Sequence, residues 1–452
     1  MRTTRRWAGG LVLLGALIQG AAPAATRVPA TDSWVGAWGY VGAPLPPGVS
    51  PPPAGPPPAA QPAVVPLGAP AATAPPPAPR PPPPPLLDNP GNIPVEVAAT
   101  DLSNLTLRQI VRVAAAGRRV RLRLSNEGGA DTLTLGAVHI GQAEADGAVV
   151  AGTDHVVTFD GKAAVSIPAS APVLSDPVDL PTKALDKLYI STYVSGAIPA
   201  RPPRALFQYV AGSSGDFTGA ARLPGARLMR APAYVTLVEV QPAAPTDVVV
   251  TLGDSITEGA ASTANAFRSW PDRLAERLVG RHWAVVNAGI SGNRLLRYGA
   301  GPNALARLDR DVLSVPGIKA IVLLEGINDI GRGFTTAGQT EPVDAAALEA
   351  ADKQIIMRAH EHGVRVIGAT LTPYEGAAYA APAGEAAREE LNTWIKTGGA
   401  FDGVIDFAPA VADSANPRTF DKRYNDRDHL HPNDAGYQAM ADAVDLSVIA
   451  GK

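Results

Sequence analysis

The stretch VTLGDSITEGAAS, Val250–Ser262, joins an apolar run to a glycine, an acid, a serine and a threonine. The run that leads into it, residues 248–252, is rich in β-branched residues and predicts a buried strand. A small hydroxyl therefore stands directly after the end of that strand. Such a serine is either an ordinary turn residue or a nucleophile presented to a substrate.

The chain after Pro245 alternates apolar runs of strand length with helical patterns. DVVVTL is followed by WAVVNAG, KAIVLLEG and VRVIGATL, and SWPDRLAERLVGR is one of the helical patterns between them. This alternation predicts an α/β domain at residues 246–452, with a parallel sheet covered by helices. Ligands bind beyond the carboxyl ends of the strands in such sheets, so Gly253, Asp254 and Ser255 are expected at the functional edge.

The region upstream has apolar positions with a period of two. In RRVRLRL, Val120, Leu122 and Leu124 share one strand face, and arginines occupy the other. Many short strands with Gly, Asp and Pro turns predict an N-terminal β-sandwich domain at residues 26–245. The arginine face could bind acidic sugars, or it is an ordinary solvated strand face.

A proline-rich block at residues 43–92 interrupts this β-rich region. About half of the chain's 45 prolines lie between Pro44 and Pro90. Because proline fixes φ and has no N–H, the block cannot pair into a sheet or form a helix, and we predict a disordered insertion. It is either a ligand or spacer, or an expanded surface loop.

The first 25 residues have the order of a secretory signal peptide. Arg2, Arg5 and Arg6 precede the apolar run Leu11–Ile18, and small residues follow. That run is too short to span a bilayer, so we expect a secreted or periplasmic protein without stable membrane insertion. An N-terminal membrane anchor is the alternative.

The composition argues against several classes of function. The formal net charge of the 452-residue chain is −3, so no basic surplus favours nucleic-acid binding. Cysteine is absent, which excludes disulfides and cysteine-ligated metals.

Four polar stretches follow predicted strands or open predicted helices. They are Gly253–Ser255, Asn287–Asn293, Glu325–Ile330 and Asp428–Tyr437. The first three follow parallel strands and should converge on one edge of the sheet. The fourth can reach that edge from its loop.

These residue types suit acyl transfer. A serine such as Ser255 is a weak nucleophile until a base, here His431, takes its proton. In DHLH the spacing lets one turn carry both that base and an orienting acid, Asp428. Donors for the developing oxyanion would be the N–H groups of Ser255 and Gly292 and the amide of Asn328.

The four blocks resemble those of the GDSL, or SGNH, hydrolases, whose blocks supply Ser, Gly, Asn and His in this order. Here they correspond to Ser255, Gly292, Asn328 and His431 with Asp428, and isoleucine stands where the family name has leucine. The resemblance covers residues 247–447 and implies a flavodoxin-like α/β/α domain. The upstream region resembles the β-rich N-terminal domain of some secreted members, from which the proline-rich block departs.

Neighbouring residues offer alternatives. Ser291 is a rival nucleophile, but GISGN is not a Gly-x-Ser-x-Gly elbow. Gly289 could replace Gly292 as the oxyanion donor. We expect Asp254 to brace the turn and Asp329 to order the loop around Asn328.

The run DRDHLHPND raises a metal site as a further alternative. It contains Asp426, Asp428, His429, His431 and Asp434, and two histidines at this spacing can bind zinc. No HExxH motif accompanies them, so we predict no metal and no cofactor, and no proton-transfer role for His429.

Four side chains near the expected cleft are candidates for substrate binding; they are Trp270, Arg294, Tyr298 and Tyr374. Each is also a plausible structural residue.

The sequence thus predicts an exported serine esterase for short-chain esters, with acetyl groups on carbohydrate, such as xylan, as the first choice. The alternatives are a short-chain lipase or arylesterase, an O-acetyltransferase, and an inactive sugar-binding protein. The partner is a small-molecule or polysaccharide ester; the natural ester and the oligomeric state are not predicted.

Overall fold

The computed structural model describes residues 33–41, 95–96, 103–129, 131–196, 209–229, 234–334, 343–425 and 427–451. The predicted signal peptide at 1–25 and the predicted insertion at 43–92 lie outside these ranges. Within them, a β-rich region precedes an α/β region.

The β-rich region forms two sheets. Its strands are β1 (Val35–Gly39), β2 (Val95–Glu96), β3 (Leu105–Arg112), β4 (Arg119–Ser125), β5 (Leu133–Gln142), β6 (His155–Val156), β7 (Val165–Ile167), β8 (Pro172–Leu174), β9 (Lys187–Val194), β10 (Val210–Ser214), β11 (Arg227–Met229) and β12 (Val235–Gln241). One sheet has the order β1-β12-β4-β8. The other has the order β2-β11-β10-β3-β9-β5-β6, with β7 also paired to β5. All pairs are antiparallel except β2 with β11, which confirms the predicted β-rich N-terminal region.

Strand β4 has the alternation that its sequence predicts. Val120, Leu122 and Leu124 are fully buried. On the opposite face, the Arg121 guanidinium lies 4.4 Å from the centre of the Trp34 ring and pairs with Glu239. The other two arginines of the row contact Asp179 and Ser314. These existing partners favour a structural strand face over a sugar-binding one.

The α/β region contains a five-stranded sheet and its helices. Its elements are β13 (Asp247–Gly253), α1 (Ser255–Glu258), α2 (Trp270–Arg277), β14 (Trp283–Gly289), α3 (Ala304–Leu308, continued by a π-helical turn at Asp309–Leu313), β15 (Ile318–Leu324), α4 (Ile327–Phe334), α5 (Ala345–Glu361), β16 (Arg365–Ala369), α6 (Pro382–Thr397), β17 (Gly403–Ile405), α7 (Phe407–Val411), α8 (Asp434–Asp442) and α9 (Leu446–Ala450). The strand order is β14-β13-β15-β16-β17, and every pair is parallel. This is the flavodoxin-like order, and it confirms the predicted fold class.

Strand β1 joins the two regions. It pairs with β12, and Gly36 N–H donates to Pro316 O at 2.9 Å on the other side. A Cβ on Gly36 would lie 2.6 Å from Val315 Cγ1, so the approach requires glycine. Arg112 adds ion pairs to α2, at 2.6 Å from Glu276 and 3.5 Å from Asp272. Among the helices that the structure describes, none is both long and apolar enough to cross a bilayer.

Candidate active site

Ser255 is presented by the turn between β13 and α1. The strand ends at Gly253, where a Cβ would collide with the Thr257 side chain and the Leu324 carbonyl, so only glycine fits. Asp254 caps the helix, because its Oδ1 accepts a hydrogen bond from Ile256 N–H at 2.8 Å. Ser255 is consequently the first residue of α1, with only 6% of its surface exposed.

A continuous hydrogen-bonded chain connects Ser255, His431 and Asp428. The Ser255 Oγ lies 2.8 Å from His431 Nε2. The other ring nitrogen, Nδ1, lies 2.6 Å from Asp428 Oδ2. The structure thus brings together the serine, base and acid that were predicted from three separated positions, in the order that a serine hydrolase requires.

The DHLH turn is held by its own backbone. Asp428 Oδ1 accepts hydrogen bonds from Leu430 N–H at 3.0 Å and His431 N–H at 2.9 Å. Asn425 Nδ2 donates to the His431 carbonyl at 2.7 Å and to Asp428 Oδ1 at 3.2 Å. Oδ1 therefore fixes the turn, which leaves Oδ2 free to orient the imidazole.

The carboxyl group of Asp428 remains ionised over a wide pH range. Partial burial raises its pKa, but the hydrogen bond and charge of His431 and the two backbone N–H donors outweigh burial and hold the pKa well below its usual value. An ionised acid at this position stabilises a protonated His431.

Asn328 lies near the start of α4 and is 4% exposed. Its Nδ2 donates to Asp254 Oδ2 at 3.3 Å, and its Oδ1 accepts from Tyr379 OH at 3.4 Å. Both contacts are long, and Nδ2 carries a second hydrogen. The amide is therefore held beside the residue that precedes Ser255 and retains a donor.

The geometry distinguishes the two candidate glycines of the second block. Gly289 N–H already donates to Asn287 Oδ1 at 2.9 Å. Gly292 has a φ of 77°, in the left-handed region, and its N–H has no acceptor among the described residues. Of the two glycines, only Gly292 has an N–H without an acceptor among the described residues, and its role as oxyanion donor stays a prediction.

Ser291 is committed elsewhere. Its N–H donates to Glu258 Oε2 at 2.6 Å, and its hydroxyl contacts the same oxygen. This contact ties the Gly292 loop to the end of α1, which gives Ser291 a structural place rather than that of a nucleophile.

Asp329 orders a different loop from the one expected. Its carboxylate accepts hydrogen bonds from the N–H groups of Leu295 at 2.7 Å and Leu296 at 3.1 Å. Asp329 thus fixes the segment after Gly292, and it links the second block to the third.

Arg307, which was not identified from the sequence, is buried beneath the candidate site and donates hydrogen bonds to the segments that form it. It is 1% exposed and donates to Gly253 O at 3.0 Å, Ala288 O at 2.7 Å and Asn293 Oδ1 at 2.9 Å. These contacts tie the ends of β13 and β14 to the Gly292 loop. An arginine on the otherwise apolar face of ALARLDRDVL was the available signal.

Buried acids surround this arginine. Burial raises the pKa of Asp254 to about 7; Asp329 adds to the increase, whereas the Ile256 N–H, His431 and Arg307 oppose it. Burial, followed by the charge of Asp254, raises the pKa of Glu325 well above its ordinary value, and Arg307 opposes this. Asp254 is therefore protonated at low pH and loses its proton near neutral pH, next to the proposed nucleophile.

Two predicted substrate contacts are wrong. Trp270 and Tyr374 are both fully buried, so neither offers a surface to a ligand. Trp270 packs on Phe407, with ring centres 5.2 Å apart, in the core. Arg294 is partly buried and Tyr298 is 42% exposed, so both stay candidates.

The candidate metal ligands in the DRDHLHPND run that the structure describes do not converge on one point. Asp434 accepts hydrogen bonds from Thr263 N–H at 2.7 Å and Thr263 Oγ1 at 2.6 Å, and it pairs with Arg268 at 2.7 Å. His429 is exposed and has a φ of 57°. In the part of the chain that the structure describes, no three His, Asp or Glu side chains cluster as a metal site, and Asp426 lies outside it.

Comparison with known proteins identifies the α/β region. Residues 251–439 match the model of the GDSL-like lipase/acylhydrolase family. No curated protein gives a significant match to the chain.

Several solved structures are similar at low identity. A GDSL-like lipase from Bacteroides thetaiotaomicron is 17% identical, covers 46% of this chain and 89% of its own, and has a TM-score of 0.35. An acetylxylan esterase from Geobacillus stearothermophilus, solved as a catalytic mutant, is 19% identical, with coverages of 44% and 91% and a TM-score of 0.35. An alpha/beta hydrolase enzyme from the metagenome of Lake Arreo is 21% identical, with coverages of 46% and 98% and a TM-score of 0.36.

The family assignment rests on the match to the family model, because the structural similarities are too low to carry an argument. That match includes all four blocks singled out from the sequence. Residues 251–439 are therefore a domain of the GDSL-like lipase/acylhydrolase family, and the protein is a hydrolase of ester bonds.

Proposed function

We propose that Ser255, His431 and Asp428 are the catalytic triad of an exported esterase that removes acetyl groups from carbohydrate esters. The observation that carries the proposal is the unbroken chain from Ser255 Oγ through both ring nitrogens of His431 to Asp428 Oδ2. It supplies a nucleophile, a base and an orienting acid without rearrangement.

The proposed reaction has two steps, acylation of Ser255 and hydrolysis of the acyl-enzyme. Ser255 Oγ attacks the ester carbonyl as His431 Nε2 takes its proton, and Asp428 stabilises the imidazolium. The same proton then passes to the departing alcohol, leaving an acyl-serine. Water, deprotonated by His431 Nε2, then attacks the acyl carbon; as the bond to Ser255 Oγ breaks, the imidazolium returns the proton to that oxygen and the acid is released.

Charge on the carbonyl oxygen is met by the donors around the turn. The N–H groups of Ser255 and Gly292 and the Asn328 amide hold the oxyanion in this proposal. The Ser255 N–H is one of the unpaired donors at the start of α1, where a negative charge is favoured.

A short acyl group fits the polar surroundings of Ser255. The side chains of His431, Asn328 and Tyr379 around the nucleophile are polar and hydrogen-bonded to one another or to their neighbours. Long acyl chains need an extended apolar surface, which these side chains do not provide. Carbohydrate is the proposed alcohol for two reasons: the N-terminal sequence has the pattern of an export signal, and the chain resembles secreted GDSL hydrolases with a β-rich domain, which often remove acetyl groups from plant polysaccharides.

The test measures acetate released from acetylated xylan, with 4-nitrophenyl acetate and 4-nitrophenyl octanoate assayed beside it. Wild-type protein should release acetate, and Ser255→Ala should lose at least about 10³-fold in rate. Turnover of the nitrophenyl esters alone would refute the carbohydrate assignment and keep the esterase. Octanoate turned over faster than acetate would favour a lipase, and unchanged turnover in Ser255→Ala would refute the triad.

A further inference from the structure

Two arginines lie close in the chain to the proposed oxyanion donors, on segments that Asp329 ties together through the Leu295 N–H. Arg294 comes two residues after Gly292, in the loop that follows β14. Arg332 comes four residues after Asn328, and both belong to α4. Since residues i and i+4 share a helix face, Arg332 lies on the same face as Asn328.

Tyr379 packs against α4 at Asn328 and Gly331, next to Arg332 in the chain. Its hydroxyl donates to Asn328 Oδ1 at 3.4 Å, and its ring lies against Gly331, where a Cβ would collide with it. Burial raises the pKa of Tyr379; Asp254 and Asp428 add to the increase, and Arg332 opposes it. The charges of Arg332, Asp254 and Asp428 therefore all act on the Tyr379 hydroxyl.

Neither guanidinium has a carboxylate partner among the described residues. Among the residues that the structure describes, no Asp or Glu forms an ion pair with Arg294 or Arg332. The Nε–H of Arg294 is buried and has no acceptor. The neighbouring Asp329 carboxylate is already committed to two backbone N–H groups, of Leu295 and Leu296.

This arrangement is unfavourable in the free protein. Burial and then the charge of Arg332 lower the pKa of Arg294; Asp329 offsets part of the effect, and Arg297 adds to it. A partly buried guanidinium such as that of Arg294, near a second and exposed guanidinium, costs free energy unless an anion compensates it. Such costs concentrate at sites that bind a ligand.

We propose that Arg294 and Arg332 bind a carboxylate on the alcohol part of the ester substrate. This rests on the proposed function, because an acetyl group carries no charge and the anion must then belong to the alcohol. A guanidinium donates two parallel hydrogen bonds to a carboxylate, and among the described residues none accepts a hydrogen bond from Arg294. A neutral ester would leave both arginines unpaired.

The experiment compares two probes with the same reacting acetyl group, one with a carboxylate on the alcohol part and one with a neutral ester in its place. These are 4-acetoxybenzoate, an anion at neutral pH, and its methyl ester, which is neutral. The readout is the ratio of kcat/KM for the anion to that for the neutral ester. Normalising each variant to wild type removes the intrinsic reactivity difference between the probes.

Arg294→Gln and Arg332→Gln should each lower this ratio by about tenfold, the loss of one charge-assisted contact. The wild-type ratio should also fall as salt rises. Arg281→Gln is the matched control, because Arg281 is exposed just before β14, at the end of that strand remote from Ser255. It removes the same charge and should leave the ratio unchanged.

An unchanged ratio in both site variants, or an equal fall in Arg281→Gln, would overturn the inference. Hydrolysis of 4-nitrophenyl acetate, which has no carboxylate, tests the esterase activity separately from carboxylate recognition. If wild type hydrolyses it and Ser255→Ala does not, the esterase stands and only carboxylate recognition falls. If wild type hydrolyses none of the three esters, both proposals fall.

Discussion

Two regions of the molecule contain a His–Asp pair with nearly the same geometry. At the edge of the parallel sheet, His431 Nδ1 lies 2.6 Å from Asp428. In the β-rich region, His139 Nδ1 lies 2.8 Å from Asp154. The histidine side chains are exposed to a similar degree, 19% and 17%.

The two pairs differ in what faces the second ring nitrogen. His431 Nε2 lies against Ser255 Oγ, whereas no hydroxyl among the described residues bonds to Nε2 of His139. The carboxyl end of β13 supplies that hydroxyl, and the antiparallel strands around His139 do not. The comparison teaches that strand topology, and not the pair itself, sets the chemistry.

The largest expected effect comes from removing the base. His431→Ala should lower kcat/KM for 4-nitrophenyl acetate by about 10³-fold or more, because Ser255 then has no proton acceptor. Steady-state kinetics of the purified variant measures this. Loss of less than tenfold would mean that His431 is no more catalytic than His139.

The next effect concerns the orienting acid. Asp428→Asn should lower kcat by about 10²- to 10⁴-fold, since an amide can hold the wrong imidazole tautomer. Circular dichroism should show the fold retained, because an amide oxygen can still accept the backbone N–H bonds. Asp154→Asn is the matched change in the other pair, and equal losses in both variants would contradict the comparison.

The two aspartates near Ser255 should affect the free energy of unfolding in opposite ways as the pH changes. Asp254 has a raised folded-state pKa of about 7, so its contribution to stability is full below about pH 4 and is lost as pH rises through 7. Asp428 has a lowered pKa, so its contribution is present above about pH 4 and is lost on acidification.

Asp254→Asn should therefore flatten the decline of unfolding free energy between pH 4 and pH 8, by about 2–4 kcal/mol relative to wild type. Denaturant titrations at several pH values measure the decline. Parallel curves for the two proteins would show that Asp254 is ionised throughout.

The smallest effect is expected in the β-rich region. His139→Ala should change kcat/KM by less than about twofold and stability by less than about 1 kcal/mol, because partly exposed pairs contribute little. Kinetics and thermal unfolding of the same preparation test both values. A large loss of activity would give the β-rich region a catalytic part that its geometry lacks.

The fold and the central site residues could be read from local patterns. The β13 run, the Gly253 turn and the DHLH spacing indicate turns and strand ends, and the four blocks with their resemblance to the GDSL hydrolases then single out Ser255, His431 and Asp428. Their catalytic roles remain predictions until the variants are measured.

What the sequence missed depends on contacts between distant segments. Arg307 and Tyr379 lie on a helix and a loop that give no motif, and their places follow only from packing against the strand ends. The prediction for Trp270 and Tyr374 was wrong for the same reason. The sequence around an aromatic residue after a strand or at a helix start is the same whether its side chain faces the cleft or the core.

Strand β1 has a consequence for the modularity of the protein. The change of sequence rhythm near residue 246 suggests two exchangeable parts, yet Val35 of β1 shares one apolar core with Val286 and Val315 of the α/β region. A fragment that began at residue 246 would expose that side wall of the sheet to water. Part of the β-rich region therefore belongs to the hydrophobic core of the α/β region. Replacing it by another domain would require new apolar side chains to cover β14.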